Sequence, residues 1–280
     1  MTGEAFVKRR DVLALLGAAC LAPATAAPEV GALERIRQRG SLVVGLYHDM
    51  PPFHVDGQGI DVEVARALAA QLGVGLSMLP FHADENMADD LRNVVWRGHY
   101  LGWGPADVLM HVPTDRALQD ANPRVQVVAP YYRERLAIAW DRRALPALDS
   151  LAALRGRDVA VAGQSLAGWL LLGADGGALR DTLQTRWPDG VAAAKALQDG
   201  KVVAAAGHAS ELESVLARDH RYAIEPLPAP RAPRDGWLVG CAVKKEAKDL
   251  AQALQQAMES IASASSLRTA FETRGVRWRV

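Results

Sequence analysis

The stretch Gly40-Ser-Leu-Val-Val-Gly-Leu-Tyr-His-Asp-Met-Pro-Pro-Phe-His-Val-Asp-Gly-Gln-Gly-Ile-Asp-Val-Glu-Val-Ala-Arg-Ala-Leu-Ala-Ala-Gln-Leu72 decides how this chain folds. It opens on an apolar run over 41–45 that reads as a buried strand, passes through a loop stiffened by Pro51 and Pro52, and enters a helix after Gly59. In that helix Ile60, Val64, Leu68 and Leu72 recur every fourth residue, so one face is built to lie on a sheet. Asp61 and Glu63 in the first turn suit the positive end of the helix dipole. A strand whose carboxyl end feeds an aromatic loop is a standard ligand position in an open α/β sheet.

Working outward, a short helix over 33–39 ends at Gly40, and a second strand is expected over 74–79. A helix over 86–97, with Leu91, Val94 and Val95 inward and Gly98 as its stop, leads to a third strand over 107–112. The order β-α-β-α-β calls for a mostly parallel sheet. The grammar restarts with a strand at 135–140, a turn at 151–154, a strand at 159–163, helices at 165–172 and 191–197, and a strand at 202–207. Four prolines between Tyr222 and Asp235 exclude regular structure throughout that segment. A strand at 237–243, a long helix holding Leu250, Leu254, Met258 and Ile261, and a last helix ending at Gly275 complete the chain. Two α/β units plus a C-terminal remainder predict a two-lobed protein.

The 280 residues carry 32 basic and 32 acidic side chains, so no global basic field draws nucleic acid, and nucleic-acid binding is excluded as an expectation. Lys8-Arg9-Arg10 before an apolar run, with Ala24-Thr-Ala26 as a small-x-small site, predicts a signal peptide over 1–27. Either the Sec or the twin-arginine route fits it. Cys20 falls in that segment and in a poor lipobox, so a lipid anchor is not expected. Of the two cysteines, Cys241 alone remains in the exported chain, in an apolar run that marks it as a buried small side chain.

Several motifs in order then carry a resemblance: 33–45, Pro52-Phe53 with Gly59-Ile-Asp-Val-Glu-Val64, Asp107-Val-Leu109, Ala129-Pro-Tyr-Tyr132, 154–161 with Gly163-Gln-Ser165, Leu197-Gln-Asp-Gly-Lys-Val202, and the tail from Ala242 to Val276. Together they resemble the periplasmic solute-binding proteins of the polar amino-acid ABC transporter class, family 3, with the type II periplasmic binding fold. The resemblance implies a two-lobed α/β architecture, each lobe a mostly parallel sheet flanked by helices, with a two-strand hinge. Lobe 1 would comprise 28–134 and 236–280, and lobe 2 135–235. A shorter resemblance, over 106–113 and 130–133, is to a subgroup associated with periplasmic quinoprotein (PQQ) alcohol dehydrogenases and their cytochrome c.

What the resemblance implies is a monomeric, non-enzymatic periplasmic protein that traps a small molecule between its lobes for an ABC permease, with no cofactor and no metal. The alternatives are an accessory protein docking on a quinoprotein dehydrogenase and, behind both, a dehydratase-like enzyme on the same fold. Ligand contacts are expected from Tyr47, Phe53, His111, Val112, Tyr131, Gln164, Ser165 and His208. Phe53 either stacks on ligand or plugs the lobe edge, and Ser165 either meets ligand or caps its helix. Relatives that bind α-amino acids place a Thr-x-x-Arg after the 107-type strand, so that the arginine grips the carboxylate in two places. Here Ala117 stands where that arginine would follow Thr114, and His208 stands where an acidic residue meets the ammonium. An ordinary α-amino acid is therefore not the expected ligand. The aromatic insertion 98–106 is expected to be a lid, a docking loop or local packing for Trp103.

Overall fold

The computed structural model describes residues 30–280, and the expected signal segment, with Cys20, lies outside the described residues. Along the chain run α1 (Ala32–Arg39), β1 (Ser41–Tyr47), α2 (Ile60–Gln71), β2 (Gly75–Phe81), α3 (Met87–Asp90), β3 (Val108–Pro113), α4 (Arg116–Ala121) and β4 (Val125–Glu134). Next come β5 (Leu136–Asp141), β6 (Val159–Ala162), α5 (Leu166–Gly173), β7 (Leu183–Trp187), α6 (Gly190–Gln198), β8 (Ala204–His208), α7 (Ala209–Leu216) and β9 (Tyr222–Pro226). The chain closes with β10 (Trp237–Lys244), α8 (Lys248–Ser263) and α9 (Ser266–Thr273).

These strands form two five-stranded sheets, β2-β1-β3-β10-β4 and β7-β6-β8-β5-β9. In each, four strands run in one direction and one is reversed: β10 runs against β3 and β4, and β5 against β8 and β9. This is the two-lobed periplasmic binding protein fold. The chain passes between sheets twice, from β4 through Arg135 into β5 and from β9 through the proline-rich segment into β10. The two crossings are stitched together, since Trp237 pairs with Glu134 and the Leu227 amide bonds the Leu136 carbonyl at 3.1 Å.

Each sheet has its own core. Leu42, Val44 and Leu46 of β1 pack under Ile60, Val64 and Leu68 of α2, with Leu250, Leu254 and Ile261 of α8 beside them. The four-residue spacing read from the sequence is thus the buried stripe, and each such side chain, removed fully from water, contributes about 1.5–3 kcal/mol. In the second sheet one face packs leucine and valine, and the other is alanine-rich through Ala137, Ala139, Ala160 and Ala205. Small side chains there let α6 and α7 approach the strands closely.

Three local differences from the sequence reading have physical causes. The second strand continues to Phe81 through Pro80, because β2 is an edge strand where a missing N–H costs no ladder bond. β4 holds Pro130 for the same reason, at the other edge of that sheet. The helix expected over 86–97 becomes a π turn over Leu91–Trp96, with the Arg97 amide bonding the Arg92 carbonyl at 2.8 Å, and this widening buries Leu91, Asn93, Val94 and Val95 together.

Candidate functional site

A cavity of about 370 Å³ lies between the two sheets. The loop after β1 supplies one wall through Tyr47, Asp49, Met50, Pro51 and Phe53. That loop is held rigidly: the Ile60 amide bonds the Pro52 carbonyl at 3.1 Å and the Asp61 amide bonds the Phe53 carbonyl at 3.0 Å, so it is docked on the first turn of α2. At Gly59, φ is +139° and a Cβ would collide with the Phe53 carbonyl oxygen, so only glycine permits the approach. β3 adds His111, the crossing strands add Glu134 and Trp237, and the second lobe adds Asp189, His208, Ser210 and Glu211.

Four of the residues expected from sequence, Tyr47, Phe53, His111 and His208, line this cavity. Gln164 and Ser165 line an adjoining cavity of about 160 Å³ in the second lobe, which shares Asp189, His208 and Glu211 with the first. The Ser165 hydroxyl is committed locally, accepting from the Gly168 amide at 3.1 Å and donating to the Ala162 carbonyl at 2.6 Å, as a helix cap does. Val112 and Tyr131 are outside the cavity lining. Val112 packs with Leu91 and Val94 on the far face of the sheet, because neighbours along a strand point to opposite sides. Tyr131 is wholly enclosed, and its hydroxyl donates to Asp61 Oδ1 at 2.6 Å. Phe53 is also almost wholly buried, with its ring 4.1 Å from that of His111 and 5.8 Å from Tyr132. It therefore supports the cavity wall as much as it faces the space.

Sequence reasoning missed the acidic groups. Glu134 is buried where the chain crosses between sheets; one carboxylate oxygen accepts from the Arg135 amide at 2.9 Å and the other from the Ser210 hydroxyl. Burial pushes its carboxyl up, opposed by the charge of His208 and the Ser210 bond. Glu211, one turn into α7, accepts from the His208 amide at 2.8 Å and the Gly190 amide at 3.0 Å and lies 3.3 Å from His208 Nδ1. Burial acts to raise it, but these bonds and the His208 charge hold it below the usual glutamate range. Burial likewise acts to lower His208, yet Glu211 and then Glu134 outweigh it and push the imidazole up to about 9. An acidic residue thus stands three residues after position 208, in a capping box whose cap is a histidine rather than serine or threonine. The spacing His-x-x-Glu ahead of Leu212 and Leu216 was the available signal.

Asp90 was missed too. It accepts from the Tyr47 hydroxyl at 2.9 Å and the Asp84 amide at 2.8 Å, at the point where α3 turns into the π segment. Burial, then the carboxylate of Asp90, drive the Tyr47 phenol far above its ordinary range, so it stays a neutral donor. Arg116, the nearest candidate for gripping a carboxylate, opens α4 with a 94% exposed side chain and pairs with Asp120 at 3.7 Å. Among the described residues, no lysine or arginine lines the cavity.

The insertion lies apart from this cavity. Trp103 stacks on His99 with ring centroids 4.4 Å apart and packs toward Phe81, while Tyr100 and Leu101 are exposed. Among the described residues, no group of three or more His, Cys, Asp or Glu is arranged to hold a metal ion, and no helix is long and apolar enough to cross a membrane. Cys241 is buried against Met110, and burial pushes its thiol well above the ordinary range.

No family model matches the chain. In sequence, 63 residues are 40% identical to the L-cystine-binding protein TcyJ of Escherichia coli (strain K12), covering 21% of this chain and 24% of that protein's length. In structure, the chain is similar to an amino acid ABC transporter substrate-binding protein from Streptococcus pneumoniae solved with L-arginine (TM-score 0.60, 20% identity, 89% of this chain and 100% of that one). An ancestral cationic amino acid solute-binding protein gives a TM-score of 0.66 at 18% identity over 87% of this chain and 99% of that one. The L-cysteine solute receptor of Neisseria gonorrhoeae gives 0.56 at 20% identity over 86% of this chain and 92% of that one. These likenesses establish the fold.

Proposed function

We propose that this chain is a periplasmic, non-enzymatic solute-binding protein that closes its two lobes on a small molecule and presents it to an ABC permease, and that its ligand is not an ordinary α-amino acid. The observation that carries the reading is a cavity built from both sheets and their two crossing strands, with no lysine or arginine among its described lining residues. Hinge closure of two lobes on a ligand uses this geometry, since bending at two short crossings moves each core as a rigid body. Absence of a guanidinium from that lining removes the usual partner for an α-carboxylate. The binding proteins that share the fold, named above, support a transport role over catalysis. Export by the segment over 1–27 belongs to the same proposal.

The test is a thermal-shift screen of the exported form against metabolites, followed by small-angle scattering with and without each hit. A stabilising solute that also reduces the radius of gyration is expected, whereas stabilisation by common α-amino acids would overturn the ligand clause. A second reading, docking on a periplasmic quinoprotein dehydrogenase, is favoured by Tyr100 and Leu101, which are 87% and 69% exposed at the tip of the insertion. Capture of a dehydrogenase that fails with a Tyr100→Ser, Leu101→Ser variant, alongside no stabilising solute, would favour it over transport.

A further inference from the structure

The charge of the cavity has a consequence for what it holds, resting on the solute-binding reading above. Asp49 and Asp90 reach it from the first lobe, Asp189 and Glu211 from the second, and Glu134 from the crossing. His208 is the one cationic side chain among the described lining residues, and it is matched by Glu211 at 3.3 Å and by the charge of Glu134. An anionic ligand group would meet no unmatched cation there. A cationic one would meet the carboxyl groups of five acidic side chains against that one imidazole, in a partly dehydrated space where attraction to those that are ionised is little screened.

His111 points the same way independently. Its side chain is only 7% exposed, and its Nδ1 lies 3.3 Å from Asp61 Oδ2 and 3.4 Å from the Tyr131 hydroxyl. That hydroxyl already donates to Asp61, and a carboxylate only accepts, so the proton on Nδ1 is assigned as donated to Asp61. In the tautomer with its one proton there, Nε2 is an acceptor. The ring lines the cavity, so this nitrogen is open to a donor on the ligand. Backbone geometry fixes this pose, with φ of +62° at His111 and the Phe53 ring packed on it at 4.1 Å. Tyr47 and Trp237 add aromatic side chains to the same lining.

We propose that the cleft binds a protonated primary or secondary organic amine with an apolar body and no carboxylate, its N–H groups directed to His111 Nε2 and Glu134. The experiment is titration calorimetry of the full exported chain with 2-phenylethylamine and 1,5-diaminopentane, set against 2-phenylethanol, butyrate, L-arginine and L-cystine. Saturable binding of an amine is expected, with butyrate and 2-phenylethanol at least tenfold weaker, the ratio a charge-assisted hydrogen bond supplies. Glu134→Gln and, separately, His111→Phe, which removes the Nε2 partner, should each weaken the amine by about tenfold. The second variant keeps the test valid if the first fails to fold.

Equal or tighter binding of the neutral alcohol overturns the amine proposal and leaves the solute-binding reading standing. Preferred binding of L-arginine or L-cystine overturns both this proposal and the exclusion of α-amino acids. Binding of no amine probe overturns the amine proposal alone.

Discussion

His208 and Glu211 form the most consequential pair of side chains in the second lobe, and their titration is measurable. The imidazole sits at about 9 in the folded chain against about 6.5 unfolded, so the stability it contributes is complete below pH 6.5 and is lost as pH rises through 9. Glu211 is held low, so its contribution is present above the unfolded carboxylate range and is lost on acidification. Because the His208 side chain is 36% exposed, solvent screens the pair, and His208→Gln should remove about 1 kcal/mol of stability between pH 6 and 7 and flatten the alkaline decline. Urea denaturation from pH 5 to 10 checks this; an unchanged alkaline limb would mean the pair is uncoupled from folding. Cys241 offers a second residue-scale expectation. Buried, with its thiol pushed up, it should resist thiol reagents in the native protein and react only on unfolding, which a colorimetric thiol assay reads directly.

At the scale of elements, the loop from Tyr47 to Gly59 is what turns a sheet edge into a cavity wall. Gly59→Ala would drive a Cβ into the Phe53 carbonyl, in a backbone region unfavourable to alanine, so it should cost at least about 2 kcal/mol and displace Phe53. Thermal melting together with loss of ligand binding checks it. This element is legible in the sequence, since Gly57, Gly59, Pro51 and Pro52 constrain the backbone locally. β4 and α7 are not. Pro130 argues against a strand, and only β4's place at the sheet edge makes that proline harmless. α7 starts on a histidine cap, so the usual Ser or Thr signal is missing. With those two elements go Glu134 and Glu211, two of the five carboxyl groups that line the cavity.

For the whole molecule, the C-terminal tail matters beyond the two crossing strands. The Trp278 indole donates to the Tyr131 carbonyl at 2.8 Å and the Arg133 amide donates to the Arg279 carbonyl at 2.8 Å, which ties the tail to β4. The Arg279 guanidinium meanwhile pairs with buried Glu213 of α7, in the other lobe. The tail is thus a third connection between the lobes. Arg279→Met should leave Glu213 without its charge partner and cost about 3 kcal/mol, roughly 6–10 °C in Tm. Calorimetry of the variant decides it, and a shift under about 2 °C would show that the Arg277 amide, at 2.9 Å, suffices for Glu213. By itself the sequence determined the two α/β repeats, the buried stripes and the rigid aromatic loop. All of these rest on periodicity and backbone chemistry acting within about thirty residues. Only the tertiary structure decided what the loop faces: β10 inserts into the first sheet between β3 and β4, and the crossings bring Glu134 beside Ser210 and near His208. The charge of a site assembled from segments more than seventy residues apart is set by those juxtapositions, which no local pattern encodes.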